Sequence, residues 1–370
     1  MQLRYQYRVY PTPGQQHMLA RSFGCARGVF NDALRARQDA YAAGVTLSDT
    51  DVQKQVVTAA KKTPPRAWLA EVASVALVQA CQDARRAYRN WFDSMSGKRK
   101  GRKVAAPRFK SRKDNRQAIR LTRNGFSLRP NRKLYIAKVG ELEVAWSREL
   151  PSEPSSVSII KDAAGRYFAS FVVETTDVLL PECDAEVGID LGLTTFAVLS
   201  DGKVIESPKF FRRAERTLRK TQQSLSRKQK GSKNRVKARI RVARAHATVA
   251  GARKDWAHKQ STVIIRENQA VFVEDLCVTG LARTRLAKSV HDAGWAMFTR
   301  LLEEKAARYG RTFVKVDRFY RRVSCARCAG RGTARNRFRF GSGSAQRAGW
   351  STTATSTLRR MSTRPDVRSG

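Results

Sequence analysis

Hydrophobic residues alternate from Leu3 through Tyr5 and Tyr7 to Val9, the period of a half-buried strand, before Pro11-Thr-Pro-Gly14 breaks the run. From about Gln15 to Asp93 the spacing turns helical. Leu69, Val72, Ala76, Leu77 and Ala80 fall on one face, and Trp91 and Phe92 close the last helix. Alternation returns in five short runs: Gln117 to Leu121, Lys133 to Ile136, Gly140 to Ala145, Ser155 to Lys161 and Tyr167 to Glu174, with Asp162-Ala-Ala-Gly165 as a hairpin turn. Together with residues 3–10 these runs predict a small antiparallel β-barrel, spanning 1–10 and 97–180, into which a helical module at 11–96 is inserted. Past Pro181 the pattern becomes α/β. Residues 185–200 predict two strands about a tight turn, with a further hairpin starting at Asp201-Gly202. Residues 209–260 predict a long helical arm or hairpin, and 261–276 a helix followed by a buried strand. Another helix is expected from His291 and another strand from Thr312 to Asp317.

Charge changes this picture more than composition does. The chain's 370 residues, 41% of them hydrophobic, suffice for two or three domains, but 73 lysines and arginines stand against 31 acids, a net charge of +42. Self-repulsion on that scale calls for a polyanion, and nucleic acid is the expected partner. The sequence has no long apolar run and no apolar signal-peptide core after Met1, so no membrane partner and a cytoplasmic location are expected. Of the six cysteines only Cys325 and Cys328 are close in sequence. A disulfide framework is therefore not expected, and Cys25, Cys81, Cys183 and Cys277 are read as core or near-core residues.

Two segments concentrate the positive charge. In the loop after the helical module, Lys98, Arg99, Lys100, Arg102 and Lys103 are followed by Arg108, Phe109, Lys110, Arg112 and Lys113, an aromatic among cations that suits phosphate contact and base stacking. In the arm at 209–260, 18 basic residues accompany only Glu215 and Asp255 as acids. A self-solvating helix would interleave signs, so Arg219, Lys220, Arg227, Lys228 and Lys230, and then Lys233, Arg235, Lys237 and Arg239, are expected to face nucleic acid.

Two acids lie where acids are costly. Asp190 sits within the apolar strand Val187-Gly-Ile-Asp-Leu-Gly-Leu193, and Glu274 ends Val271-Phe-Val273. On neighbouring strands they would repel each other, and a divalent cation such as magnesium would resolve the repulsion while activating water for phosphodiester attack. The alternative is a pair of solvated strand-end acids. Asp275 is expected on the opposite strand face, Asp201 and Asp292 as turn or helix-cap acids, Asp317 as a strand-end acid able to lean toward the site, and Trp256 and Trp295 as packing anchors.

The segments around Asp190 and Phe272-Val-Glu-Asp-Leu276, then His291-Asp-Ala-Gly-Trp295, Tyr309-Gly-Arg311 and Cys325-Ala-Arg-Cys328, occur in an order that resembles the transposon-encoded TnpB (OrfB) family, relatives of the type V CRISPR effector nucleases. The resemblance covers roughly residues 1–328. It implies an α/β RNase H-like (RuvC) nuclease domain at 185–322, a wedge-type barrel with an inserted helical recognition module, and a C-terminal zinc ribbon. It also implies a guide RNA and target DNA as partners, and magnesium held by Asp190 and Glu274 as catalytic ligands.

The resemblance ends early. Such chains carry a second Cys-x-x-Cys that completes a zinc site and then a third metal-binding Asp; here Cys328 is followed by a tail at 329–370 whose one acid is Asp366. Reading the third base of each codon with the first two of the next, residues 340–359 can be back-translated as R-E-W-x-C-x-x-C-G-V-V-H-D-R-D-V-N-A-A, which supplies both missing features. A one-base shift shortly after the Cys328 codon is therefore expected. Cys325 and Cys328 would then be half of a tetrahedral zinc site, binding Zn2+ weakly or not at all, in front of a disordered tail. Cleavage would be impaired, since the third acid is gone, while nucleic-acid affinity persists.

Overall fold

The computed structural model describes residues 1–114 and 116–317. β1 (Gln2–Tyr10) leads into α1 (Pro13–Ala42) through a capping box, in which the Thr12 hydroxyl accepts from the Gln15 N–H and the Gln15 side chain accepts from the Thr12 N–H, with Pro13 opening the helix. α2 (Asp49–Gln53) starts on a second box, Ser48 with Asp51, and continues through irregular helical turns at 54–71. α3 (Ser74–Met95) completes the helical module, burying Ala76, Leu77, Ala80, Cys81 and Ala84 on one face.

The strands β2 (Gln117–Thr122), β3 (Phe126–Leu128), β4 (Leu134–Ile136), β5 (Gly140–Ala145), β6 (Ser156–Lys161) and β7 (Tyr167–Glu174) join β1 in one antiparallel sheet of order β2-β6-β7-β1-β5-β4-β3. β1 lies at its centre, paired with β7 along its length. The end strands β2 and β3 are linked by a single turn at Arg123–Gly125, so the sheet curls toward a barrel, but no ladder joins them among the described residues. The expected barrel is thus a curled open sheet, and β3 is a strand that alternation over three residues was too short to announce. Its core packs Tyr7 at a tilt against Trp146 and edge-on against Phe171, with ring centroids 4.7 and 5.9 Å apart.

The second unit holds β8 (Glu186–Leu191), β9 (Thr195–Leu199) and β10 (Val204–Glu206), then α4 (Phe210–Ser226) and α5 (Lys233–Glu267), the arms of a helical hairpin. β11 (Ala270–Glu274), α6 (Val278–Leu281), α7 (Ala287–Ala293), α8 (Trp295–Tyr309) and β12 (Thr312–Val316) follow. The five strands form a mixed sheet of order β10-β9-β8-β11-β12: β8, β11 and β12 are parallel, and β9 is antiparallel to β8 and β10. Gly192 makes the β8–β9 turn possible, because a Cβ there would stand 2.7 Å from the Thr195 carbonyl oxygen.

The single helix expected from His291 is two helices. Gly294, at φ 75°, ends α7 and begins α8 in the left-handed region that glycine tolerates. Trp256 and Trp295 do anchor packing: Trp295 is buried, and Trp256 meets Phe196 edge-on at 4.6 Å. Cys25 and Cys81 are buried and Cys183 half-buried, but Cys277 is exposed, since it lies past the end of β11. Cys325, Cys328 and the tail fall outside the described residues.

Candidate active site

The parallel pairing of β8 with β11 runs from Glu186 opposite Ala270 to Ile189 opposite Val273, and Asp190 and Glu274 are the next residue on each strand, one step past the last paired positions. Val187, Ile189, Leu191, Val271 and Val273 are buried in the core that α5 and α8 cover. Strand alternation therefore turns Asp190 and Glu274 to the other face. That face is open: Val198, opposite Asp190, and Val314, in phase with Glu274, are both exposed. The acids also lie at the carboxyl ends of parallel strands, where ligands of open α/β sheets bind.

Both side chains are half-buried, and among the described residues neither carboxylate has a hydrogen-bond or ion-pair partner. Two half-buried carboxylates at the ends of neighbouring strands, with no cationic side chain on either, are a donor set that fits a hard divalent cation bound through oxygens. No group of three or more His, Cys, Asp or Glu gathers around a metal position among the described residues. Asp275 is exposed, and its N–H donates to the Val316 carbonyl at 2.9 Å. Asp317 follows Val316, the partner of Glu274, and is thus one step out of phase with the two acids.

The other candidate acids do structural work. Asp201 turns the β9–β10 hairpin by accepting from the Lys203 N–H at 2.9 Å. Asp292 is buried and caps a distant helix: it accepts from the N–H groups of Phe211 and Arg212 at 2.8 and 3.3 Å and pairs with Arg253 at 3.3 Å. Lys209, just before α4, is left-handed (φ 48°) and offers no side-chain cap, so Asp292 satisfies amides that would otherwise be orphaned.

The basic segments are mostly presented to solvent. Arg219, Lys220, Arg227, Lys228, Lys230, Lys233, Lys237 and Arg239 are exposed along α4, α5 and their connection. Arg235 is different, since its guanidinium donates to the carbonyls of Leu225 and Lys228 at 3.2 and 2.7 Å and closes the hairpin turn. Lys98, Arg99, Lys100, Arg102, Lys103, Arg108, Phe109, Lys110, Arg112 and Lys113 are exposed in the loop before β2. Asn31 fixes that loop to α1 by exchanging two hydrogen bonds with the Lys110 backbone. No helix among the described residues is long and apolar enough to cross a membrane.

Residues 170–285 match the OrfB_IS605 profile, described as "Probable transposase", residues 1–45 match a helix-turn-helix domain profile, HTH_OrfB_IS605, and residues 295–351 match the TNB domain of Cas12f1-like proteins. In this structure residues 1–45 form a strand and one long helix. A Streptomyces pristinaespiralis protein described as "Putative RNA-guided DNA endonuclease" is 41% identical over 337 residues, 90% of this chain and 81% of its own length. InsQ of Escherichia coli K12, described in the same terms, is 27% identical over 342 residues, 88% of this chain and 82% of its own. Among solved structures, a chain in the cryo-EM structure of a Cas12f1-sgRNA-target DNA complex aligns over 86% of this chain and 89% of its own at 11% identity, with a TM-score of 0.48.

Proposed function

Since the chain belongs to the OrfB (TnpB) family of transposon-encoded proteins, we propose that it is built as an RNA-guided DNA endonuclease of RuvC type, and that this copy keeps nucleic-acid binding but cleaves poorly. The observation that carries the reading is the unpaired couple Asp190 and Glu274, each one step past the paired register of β8 and β11 and on one open sheet face. The mixed sheet supports an RNase H-like domain, and the curled antiparallel sheet with its inserted helices supports a wedge and a recognition module. Asp190 and Glu274 would hold magnesium, which when bound offsets their mutual repulsion and makes water a stronger nucleophile. The chain's own residues hold the metal-binding oxygens on rigid strands and offer phosphates the cations of α4, α5 and the 97–116 loop. Guide RNA and target DNA are the proposed partners.

Impairment follows from the tail. With the frame shifted after Cys328, both the second cysteine pair and the third acid are lost, so the zinc site is halved and the metal centre keeps two of its three carboxylates. The TNB-domain match runs to residue 351 in the frame as read; the nucleotide sequence decides between that frame and the shifted one. The test of the site is DNA cleavage by the frame-restored chain with its guide RNA, in magnesium. Asp190→Ala and Glu274→Ala should each reduce cleavage to background while guide binding persists; undiminished cleavage by either variant would remove that residue from the centre.

A non-catalytic reading, an RNA-guided DNA-binding protein acting as a repressor, is favoured by one observation: no third acid joins the pair among the described residues.

A further inference from the structure

Three aromatic side chains at the end of α3 serve the fold only in part. Tyr88, Trp91 and Phe92 are spaced i, i+3 and i+4 and share one side of the helix. The Trp91 and Phe92 rings lie 4.9 Å apart, and Tyr88 lies 6.1 Å from Phe92 with the two planes 22° apart. Tyr88 reaches the core of the first unit, but Phe92 is 56% exposed and Met95, at the helix end, is 71% exposed. Phe92 and Met95 face water beside two half-buried rings, and the neighbouring charge indicates the chemistry that would cover them.

The basic loop leaves α3 just past Met95 and folds back onto the helix flank that carries Asn90 and Ser94, away from the rings. The Arg99 N–H donates to the Asp93 carbonyl at 2.9 Å, its guanidinium donates to the Asn90 side chain at 3.2 Å, and the Val104 N–H donates to the Ser94 hydroxyl at 2.9 Å. Lys98, Lys100, Arg102 and Lys103 are exposed in this loop, which starts within three residues of Met95, and Arg89 is exposed on the helix itself. Flat apolar faces bordered by cations match unpaired nucleotides, which offer a π face and a phosphate at each step. A duplex keeps its bases stacked inside and would engage the cations alone.

We propose that Tyr88, Trp91 and Phe92 form a base-stacking platform that seats unpaired nucleotides of a single strand, with the loop at 98–103 holding its phosphates. The proposal rests on the chain being a nucleic-acid binder and is independent of the metal centre.

The test uses the full chain and labelled oligonucleotides of about twelve nucleotides, enough to cross one stacking site. Single-stranded RNA, single-stranded DNA and a duplex of the same sequence are each titrated. Phe92 is exposed, so Phe92→Ala should fold; it is expected to weaken single-strand binding by about five- to a hundredfold and to leave duplex binding unchanged, and Phe92→Trp should restore it. A loss confined to RNA or to DNA would support the platform and identify its strand. Single-strand affinity of Phe92→Ala equal to the wild type, an equal loss on duplex, or a change of oligomeric state in place of a change in binding would each overturn the platform. Failure of the wild type to bind any of the three would overturn the nucleic-acid reading itself.

Discussion

Asp292 shows what a single buried carboxylate does when it has several partners. It faces two backbone amides at the start of α4 and the guanidinium of Arg253 on α5, so it ties both arms of the basic hairpin to α7. Asp292→Ala would leave the half-buried Arg253 and two helix-end amides without their acceptor, and a loss of about 2–4 kcal/mol is expected. Asp292→Asn should lose less, because one side-chain oxygen still accepts. Denaturant unfolding of the two variants checks the order; equal stability of Asp292→Ala and the wild type would deny the latch. The sequence marked Asp292 as a turn or helix-cap acid. It could not show which helix, because the capped amides lie some eighty positions earlier and meet Asp292 only after α7 docks. Asp190 and Glu274 were legible for the opposite reason, since an acid inside an apolar strand is conspicuous by itself.

At the scale of elements, Lys305 joins α8 to α5. Its ammonium donates to the His258 carbonyl at 2.6 Å and to the hydroxyls of Ser261 and Thr262 at 2.8 and 2.5 Å. Burial, then the nearby Arg266, lowers its pKa from 10.5 to about 8. The folded value lies below the unfolded one, so between those two pH values the unfolded chain binds more protons and this residue's contribution to stability rises with pH. Below about pH 8 its cost is fully present. Lys305→Met should therefore flatten the stability profile between pH 8 and 10.5 relative to the wild type; parallel profiles would show that the three acceptors keep the ammonium at its ordinary value. Elements themselves were read well wherever periodicity ran long, as in β7, where the expected and observed bounds coincide at Tyr167–Glu174. Reading failed where tertiary contacts decide. Arg235, one of the many cations of the arm, donates to carbonyls of the hairpin turn, and Trp91 and Phe92 were read only as closing a helix, although three aromatics before a run of lysine and arginine are visible in the sequence.

At the scale of the whole molecule, two sheets do different work. The curled antiparallel sheet supports a helical module and a basic loop, while the mixed sheet carries the acid pair and projects the basic hairpin. On the proposed reading the tail would bear on function through two metals. If the frame is shifted, this chain should bind less than one zinc ion per molecule after dialysis, because two thiolates leave the tetrahedral set incomplete, and the frame-restored chain should retain zinc. Elemental analysis of both proteins checks this, and full zinc occupancy of the present chain would show that other residues complete the site. The central claim, that a two-acid centre on an intact nucleic-acid-binding body lacks its third ligand, is tested most directly by magnesium-dependent cleavage of guide-matched DNA by this chain beside its frame-restored counterpart. Cleavage by the restored chain alone, with DNA binding by both, is the predicted result. Equal cleavage by both would contradict it and would mean that another acid of this chain completes the centre.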